Sequence, residues 1–101
     1  AHITGGGLVE NLIRSIPDGL SANIDLSKIK PQKIFKWLKS KNVNEIEMLK
    51  TFNCGVGYCI IVHKKNIKKI NKFFTKEYMP YVIGYISKNI KKLNLRNSIK
   101  W

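Results

Sequence analysis

The sequence has few acidic residues, few prolines, two cysteines and no long apolar segment. Its 101 residues include 6 Asp+Glu, 3 Pro and 2 Cys. Because no apolar run approaches the roughly 20 residues that a bilayer requires, we expect no transmembrane helix. No basic and apolar leader with a cleavage site follows Ala1, so we also expect no signal peptide. An ordinary hydrophobic content of 44% favours a folded domain over a disordered chain.

The two cysteines, Cys54 and Cys59, are unsuited to a disulfide or a zinc site. They lie in a segment of strand-like composition, where a rise of roughly 3.3 Å per residue places their Cα atoms about 16 Å apart. That separation is far beyond disulfide geometry. The sequence has no CxxC motif, and its two histidines, His2 and His63, lie elsewhere, so we predict no metal site. Two free thiols indicate a reducing compartment, and we expect the cytoplasm.

The scarcity of acids leaves a formal net charge of +13 from 19 Lys+Arg. Residues 1–27 carry one base and three acids, whereas residues 28–101 carry all the other bases. Such an excess is typical of nucleic-acid binders. The alternative is compositional drift, because Lys, Ile and Asn together supply 42 of the 101 residues and are residues that an AT-rich genome favours. We favour drift, since most lysines fall on the predicted solvent faces of helices.

Helical patterns occur at four places in what we expect to be one domain, residues 1–101. The first helix ends at Pro17-Asp18-Gly19, and the second begins with Pro31 at its first position. The third is capped by Asn44, with Glu47 as the capping-box partner. Apolar stripes accompany the second and fourth helices. They consist of Ile34, Phe35, Trp37 and Leu38, and of Ile67, Ile70, Phe73 and Phe74.

Strand patterns occur at residues 21–26, 55–62, 81–86 and 93–100. The second of these is apolar on both alternating faces, which predicts a central strand covered on both sides. The last alternates strictly within a basic tail, residues 88–101, and predicts an edge strand. The order of elements predicts an α/β or α+β fold with a mixed sheet and helices packed on one side. Because a glycine motif follows Ala1 almost at once, we expect the chain to be a fragment whose sheet has an open edge.

The glycine-rich segment near the start is the first that could bind a ligand. Three consecutive glycines permit positive φ and a close approach of the backbone to a ligand. Their N–H groups can form a concave anion site at the start of the following helix. A phosphate group is the natural ligand, although a tight turn without a ligand explains the same glycines equally well. The candidate binding residues are His2, Thr4, Gly5, Gly6, Gly7 and Asn11.

The second segment of interest is Thr51 to Gly57, at a predicted junction between a helix and a strand. Asn53 offers a side-chain amide, and Gly55 allows close packing of the backbone. We take these two residues as possible further ligand contacts. Cys54 could be a nucleophile, but no base neighbours it in the sequence. We therefore interpret Cys54 as a buried thiol.

Together these segments resemble the aminoimidazole ribonucleotide synthetases, also called phosphoribosylformylglycinamidine cyclo-ligases. The resemblance covers residues 1 to about 86, and the chain departs from the family pattern after Ser87. Related ATP-using enzymes share the fold but do not carry HITGGG and TFNCGVG in this form. The motifs in order are AHITGGGLVEN from Ala1, the LPDG-like Ile16-Pro17-Asp18-Gly19, the helix Ile34-Phe35-Lys36-Trp37-Leu38, Glu47-Met48 leading into TFNCGVG, and Tyr81-Val82-Ile83-Gly84.

The resemblance implies a two-domain subunit that works as a homodimer, with this chain as the later part of the C-terminal domain. The family phosphorylates the amide oxygen of formylglycinamidine ribonucleotide with ATP, and an internal nitrogen then closes the imidazole ring. ATP and Mg²⁺ would be bound mainly by the N-terminal domain, and no catalytic residue is assigned to this chain. We therefore expect the fragment alone to be inactive. Its implied partners are the small ribonucleotide substrate and the remainder of its own enzyme chain.

Two alternatives remain at this point, a basic nucleic-acid-binding module and a non-catalytic member of the same ATP-binding superfamily. Against the first, the strongest motif lies in the acidic residues 1–27. In addition, aromatic residues do not interleave with the lysines as stacking platforms would. We expect no specific nucleic acid and no membrane among the partners.

If the charge is generic, binding of the chain to DNA or RNA should be weak, indifferent to sequence and steeply reduced by salt. Fluorescence anisotropy with two unrelated oligonucleotides, titrated between about 50 and 200 mM salt, measures both properties. Nanomolar binding that distinguishes the two sequences at physiological salt would contradict the interpretation.

Overall fold

Strand β1, Leu20–Asp25, lies at the centre of a three-stranded mixed sheet. The computed structural model describes every residue from Ala1 to Trp101. Strand β2, Gly84–Lys88, pairs antiparallel with β1, with Ala22 opposite Ile86. Strand β3, Leu93–Arg96, pairs parallel with β1 on its other side, with Ala22 opposite Leu93. The mixed sheet and the α+β class agree with the prediction.

Four short helices and three 3₁₀ turns complete the fold. Helix α3 begins as predicted, because the Asn44 side chain accepts a hydrogen bond from the Glu47 N–H at 2.9 Å. The helices are α1 Gly7–Ile13, α2 Lys33–Lys39, α3 Glu45–Thr51 and α4 Ile67–Asn71. The 3₁₀ turns are Leu26–Lys28, Lys64–Asn66 and Lys76–Tyr78.

The core lies between α1, α3 and β1. Leu8 and Leu12 are one turn apart on α1, and both are buried against α3, which contributes Met48 and Leu49. Burying side chains of this size stabilises the folded state by roughly 1.5–3 kcal/mol each. The rest of the buried core consists of Ile3, Ile16, Ala22, Ile24, Leu26, Ile29, Cys54, Val56, Leu93 and Ile99.

The centre of the sheet also contains a polar link between all three strands. Asn23 on β1 is buried, and its Nδ2 donates to Ser87 Oγ of β2 at 2.8 Å. Its Oδ1 accepts from Asn94 Nδ2 of β3 at 3.3 Å. Because a buried amide without partners would be costly, these bonds favour the observed register of both outer strands.

The central strand predicted for residues 55–62 is not formed, and that prediction is wrong. Only Tyr58 makes a β-bridge, opposite His2. Ile60, Ile61 and Val62 are exposed by 49%, 46% and 39%. The two-sided apolar pattern requires partners on both faces, and this chain does not provide them.

The predicted helical stripes also need correction. Helix α2 begins at Lys33 rather than at Pro31, because Gln32 is its N-cap. Its Phe35 and Leu38 pack on the core, whereas Ile34 and Trp37 of the same stripe are exposed. In the fourth stripe, α4 ends at Asn71, before Phe73 and Phe74, and Phe73 is exposed by 81%.

The last part of the chain closes one side of the fold. The predicted strand at 81–86 begins only at Gly84. The edge strand predicted at 93–100 forms at the sheet edge over Leu93–Arg96 only, because Asn97 has a positive φ of 60° and leaves the strand conformation. Beyond β3, Asn97 Nδ2 donates to Asp25 Oδ1 at 2.9 Å. Glu45 Oε2 accepts from the Ile99 N–H and from Trp101 Nε1, both at 3.1 Å. The tail is thus attached to both the sheet and α3. None of the helices has the length and apolar character needed to cross a bilayer.

The stability that the attached tail gives to the fold should depend on pH, because Asn97 of the tail bonds to the Asp25 carboxylate. Hydrogen bonds from the side chains of Asn97 and then Ser27 lower the pKa of Asp25 to about 2. Because the folded-state pKa is depressed, the stabilisation is complete above the unfolded value near 4 and is lost as the pH falls towards 2. We expect Asp25→Asn to lower the urea midpoint near pH 6, with a difference from the parent that shrinks towards pH 2.5.

Asp18→Asn is the control, because the ion pair of Asp18 with Lys92 at 3.0 Å is exposed and should contribute little. A difference between Asp25→Asn and the parent that stays constant from pH 6 to pH 2.5 would contradict the assignment.

Candidate functional site

A short antiparallel ladder brings the two sequence motifs together. The Ile3 N–H donates to Gly57 O at 3.0 Å, and the Cys59 N–H donates to Ala1 O at 2.8 Å. The Ala1 nitrogen donates in return to Cys59 O at 2.8 Å. Residues 1–3 therefore lie beside residues 57–59, and the glycine-rich loop that follows Ile3 lies close to the segment that precedes Gly57.

The three glycines of the loop differ in backbone φ and in the room that each position leaves for a side chain. Gly6 and Gly7 have φ of 91° and 61°, which glycine adopts without strain. A Cβ on Gly7 would overlap the backbone carbonyl of Leu49 on α3, so Gly7 is required for the packing of α1 on α3. A Cβ on Gly6 would meet the flexible side chain of Glu10. A Cβ on Gly5 would meet nothing within 4 Å, which leaves Gly5 as the open side of the loop.

Asn11 holds the loop in shape from the first turns of α1. Its side chain is only 6% exposed. Its Nδ2 donates to the carbonyls of Thr4, Gly5 and Gly7 at 3.3, 3.1 and 2.8 Å, and its Oδ1 accepts from Thr4 Oγ1 at 3.4 Å. The loop carbonyls are thus turned towards Asn11. Its amide group is committed to the loop, so Asn11 positions the neighbouring backbone.

The backbone N–H groups of Gly5 and Gly6 make no hydrogen bond within the chain. The turn is closed instead by the Gly7 N–H, which donates to Thr4 O at 3.0 Å. Unpaired N–H groups in a left-handed turn can donate hydrogen bonds to an anion. One feature opposes this, because the Glu10 carboxylate lies beside Gly6 and would repel negative charge.

An open depression of about 260 Å³ lies between the two motifs. Thr4, Thr51 and Asn53 give it polar groups, and Phe35 and Phe52 form an apolar wall, with their ring centroids 6.1 Å apart. Ile3 completes the lining. No charged side chain lines the depression, so its chemistry suits hydroxyl, amide and aromatic groups.

The second candidate segment is held in a tight turn by Asn53. The Asn53 Oδ1 accepts from the Gly55 N–H at 2.9 Å, and the Asn53 carbonyl accepts from the Val56 N–H at 2.9 Å. The Nδ2 of Asn53 has no acceptor within the chain, and Asn53 lines the depression. Gly55 has φ of 95°, and a Cβ there would meet the Lys30 carbonyl at 2.9 Å. Asn53 is thus available to a ligand, whereas Gly55 serves the turn.

His2 lies beside the loop, and it is not part of the lining of the depression. Its ring stacks on Tyr58 with centroids 6.0 Å apart and an interplanar angle of 29°. Both residues are exposed. The His2 side chain makes no hydrogen bond within the chain. Its ring orientation is set by stacking on Tyr58, which lies opposite His2 in the ladder.

Cys54 is the buried thiol that the sequence indicates. It is 1% exposed, and its Sγ lies 3.5 Å from Met48 O. Burial, and then the negative charge of Glu45, raise the pKa of Cys54 to about 11. Burial also raises the pKa of Cys59. Both thiols are free, and protonated, buried thiols are poor nucleophiles.

Sequence reasoning missed Phe35, Thr51 and Phe52 as parts of this site. Thr51 and Phe52 belong to the TFN motif and could have been included on that ground. No spacing rule connects Phe35 with Phe52, because the contact depends on how α2 and α3 lie against each other.

The α+β fold, with the HITGGG and TFN motifs side by side, defines a class of domain. Comparison with known families identifies that class. Residues 1–92 match the family described as AIR synthase related protein, C-terminal domain. The chain belongs to this family.

Two curated relatives agree with the family match. The bifunctional purine biosynthetic protein ADE5,7 of Saccharomyces cerevisiae is 47% identical over 78 residues, covering 76% of this chain and 10% of the relative. The phosphoribosylformylglycinamidine cyclo-ligase of Staphylococcus aureus strain Newman is 41% identical over 90 residues, covering 87% of this chain and 26% of the relative. The chain thus spans about a quarter or less of the length of these relatives.

The loop geometry predicts that Asn11 is required for stability. Asn11→Ala removes the side-chain donor shared by the carbonyls of Thr4, Gly5 and Gly7, of which only Thr4 O is known to keep another donor, the Gly7 N–H. We expect the free energy of unfolding to fall by about 1–3 kcal/mol in urea denaturation. Thr4→Ala is the matched control, because it removes only a long hydrogen bond from an exposed hydroxyl. Equal losses in the two variants would show that Asn11 does not hold the loop.

Proposed function

We propose that this chain contributes the glycine-rich part of the substrate site of a phosphoribosylformylglycinamidine cyclo-ligase in purine biosynthesis. Membership of the family and the names of both relatives support this function. The observation that carries the proposal is the depression between the HITGGG and TFN motifs. The two most specific segments of the sequence share one open surface through the ladder of residues 1–3 and 57–59.

In this proposal the loop binds a phosphate group of the ribonucleotide. The unpaired N–H groups of Gly5 and Gly6 are the donors, and the open side of Gly5 allows the phosphate to approach. Thr4 and His2, which flank the loop, are further donors. Asn11 acts through the loop carbonyls that it fixes. Gly7 serves the helix packing that supports the loop.

The depression next to the loop is proposed to hold uncharged groups of the substrate. Asn53 Nδ2 and the Thr51 hydroxyl can hydrogen bond to ribose hydroxyls or an amide, and Phe52 offers an apolar surface beside them. Fixing a flexible ribonucleotide at both its phosphate and its sugar would favour ring closure, because an intramolecular reaction depends on the alignment of its two reacting atoms.

The residues of this site do not fit ATP with Mg²⁺. Mg²⁺ in proteins is held by carboxylates and phosphate oxygens, and no carboxylate lines the depression. The one acid beside the loop, Glu10, faces Gly6. We therefore assign ATP and Mg²⁺, with the cationic groups that neutralise the substrate phosphate, to the remainder of the enzyme. A homodimer in the cytoplasm is part of the same proposal.

The phosphate assignment is tested by steady-state kinetics of the intact enzyme. Gly6→Val places a β-branched residue at φ 91°, which strains the loop by about 1–3 kcal/mol. We expect kcat/KM to fall at least tenfold, or about 1.4 kcal/mol of transition-state stabilisation, with the fold retained. Gly5→Ala is sharper, because it adds a methyl group without strain or overlap and should reduce kcat/KM with no change in melting temperature. Thr4→Ala should have the smallest effect.

Gly57→Ala is the matched control, since a Cβ there also meets nothing within 4 Å at an unstrained φ. The site assignment fails if Gly6→Val lowers the melting temperature but keeps full activity, or if Gly5→Ala behaves like Gly57→Ala.

A further inference from the structure

The exposed rings of His2 and Tyr58 stack on each other across the short ladder. His2 lies opposite Tyr58, and the neighbouring pair, Ala1 with Cys59, exchanges both backbone hydrogen bonds. Hydrogen-bonded and non-hydrogen-bonded pairs alternate in an antiparallel ladder. His2 and Tyr58 therefore form a non-hydrogen-bonded pair, in which the side chains come closest. Their ring centroids are 6.0 Å apart, within the range of attractive aromatic contacts.

The His2 imidazole has no polar partner that would hold it in place. The only histidine ring that takes part in a hydrogen bond is that of His63, and the one ion pair of the chain joins Lys92 and Asp18. Ile3 is only 2% exposed. Because successive side chains of an extended segment point to opposite sides, His2 points away from the core. An exposed side chain exchanges between staggered rotamers, and the contact with Tyr58 opposes that exchange.

The position of His2 beside the glycine-rich loop gives this contact a consequence for a bound phosphate. Glu10 puts a negative charge beside Gly6, and Arg14 is the only Lys or Arg among residues 1–27. A phosphate at the loop therefore depends on the few donors that flank it, and His2 is one of them. A side chain that must be ordered at the moment of binding weakens binding, whereas a side chain already held in place avoids that loss.

We infer that Tyr58 is a positioning residue, which holds the His2 imidazole beside the loop so that it can donate to the phosphate group of the substrate. The inference rests on the proposed function, because it takes His2 as a phosphate donor. The ring of Tyr58 carries the role, since its hydroxyl makes no hydrogen bond within the chain and the residue is 67% exposed. Phe at this position keeps the stacking face, whereas Leu keeps apolar bulk without a ring. Both should leave the ladder intact, because backbone hydrogen bonds hold it.

Steady-state kinetics of the intact enzyme test the inference. We expect Tyr58→Leu to raise KM for the ribonucleotide at least about threefold with kcat nearly unchanged, because a preordered donor helps the ground state and the transition state alike. Tyr58→Phe should behave like the parent. In the His2→Gln enzyme, Tyr58→Leu should have no further effect, because the two residues act as one unit. Tyr78→Leu is the matched control, since Tyr78 is 75% exposed and stacks on no other ring.

Nuclear magnetic resonance of the intact enzyme labelled at histidine follows the contact without catalysis. The His2 ring-proton resonances are assigned by their loss in His2→Gln. Removal of a stacked ring changes the shielding of these protons, so they should shift in Tyr58→Leu and keep nearly the same positions in Tyr58→Phe. Resonances that stay in place in Tyr58→Leu would show that the rings do not stack, and the inference would be wrong.

The kinetic outcomes separate this inference from the phosphate assignment. An effect of His2→Gln on KM without an effect of Tyr58→Leu overturns the inference alone, as does an equal effect of Tyr58→Leu in the parent and in His2→Gln. A rise in KM with Tyr58→Phe would show that the hydroxyl touches the substrate and would also overturn the positioning role. If His2→Gln leaves KM unchanged, the donor role of His2 in the proposed function fails together with the inference.

Discussion

Three backbone hydrogen bonds between residues 1–3 and 57–59 hold the two halves of the candidate site together. Without them, the glycine-rich loop and the TFN segment would be joined only through the packing of α1 on α3. The bonds involve the backbone alone, so they tolerate many side chains at His2 and Tyr58 while fixing the relative position of the two motifs.

The contact between α1 and α3 provides the second fixed point of the site. Gly7 allows the start of α1 to approach the carbonyl of Leu49, and Leu8 and Leu12 are buried beside Met48. Asn11, on the same helix, turns the loop carbonyls inward. The N–H groups of Gly5 and Gly6 are left without a hydrogen-bond partner in the chain. The glycine run therefore combines one residue needed for packing with two that shape the surface.

Local signals in the sequence predicted the elements that depend on local interactions. The Asn44 cap and the first half of the strand predicted at 93–100 follow from side chains within a few residues of one another. The helix stop predicted at Pro17-Asp18-Gly19 was placed too late, because α1 already ends at Ile13. The parallel pairing of β3 with β1 could not be predicted in this way, because it joins residues about 70 positions apart. The same limit applies to the site, where the motif residues were found by resemblance but Phe35 depends on tertiary packing.

The strand prediction that failed and the apolar surface of the molecule have the same physical origin. A segment that is apolar on both faces predicts burial on both faces, and the sequence alone does not reveal whether the covering elements lie within the same 101 residues. In the structure, Ile60, Ile61 and Val62 have no regular secondary structure and are exposed. Tyr85 and Ile86 on β2, at the edge of the sheet, are likewise exposed apolar side chains. The pattern thus described the environment that these residues prefer, and the folded residues 1–101 do not supply that environment.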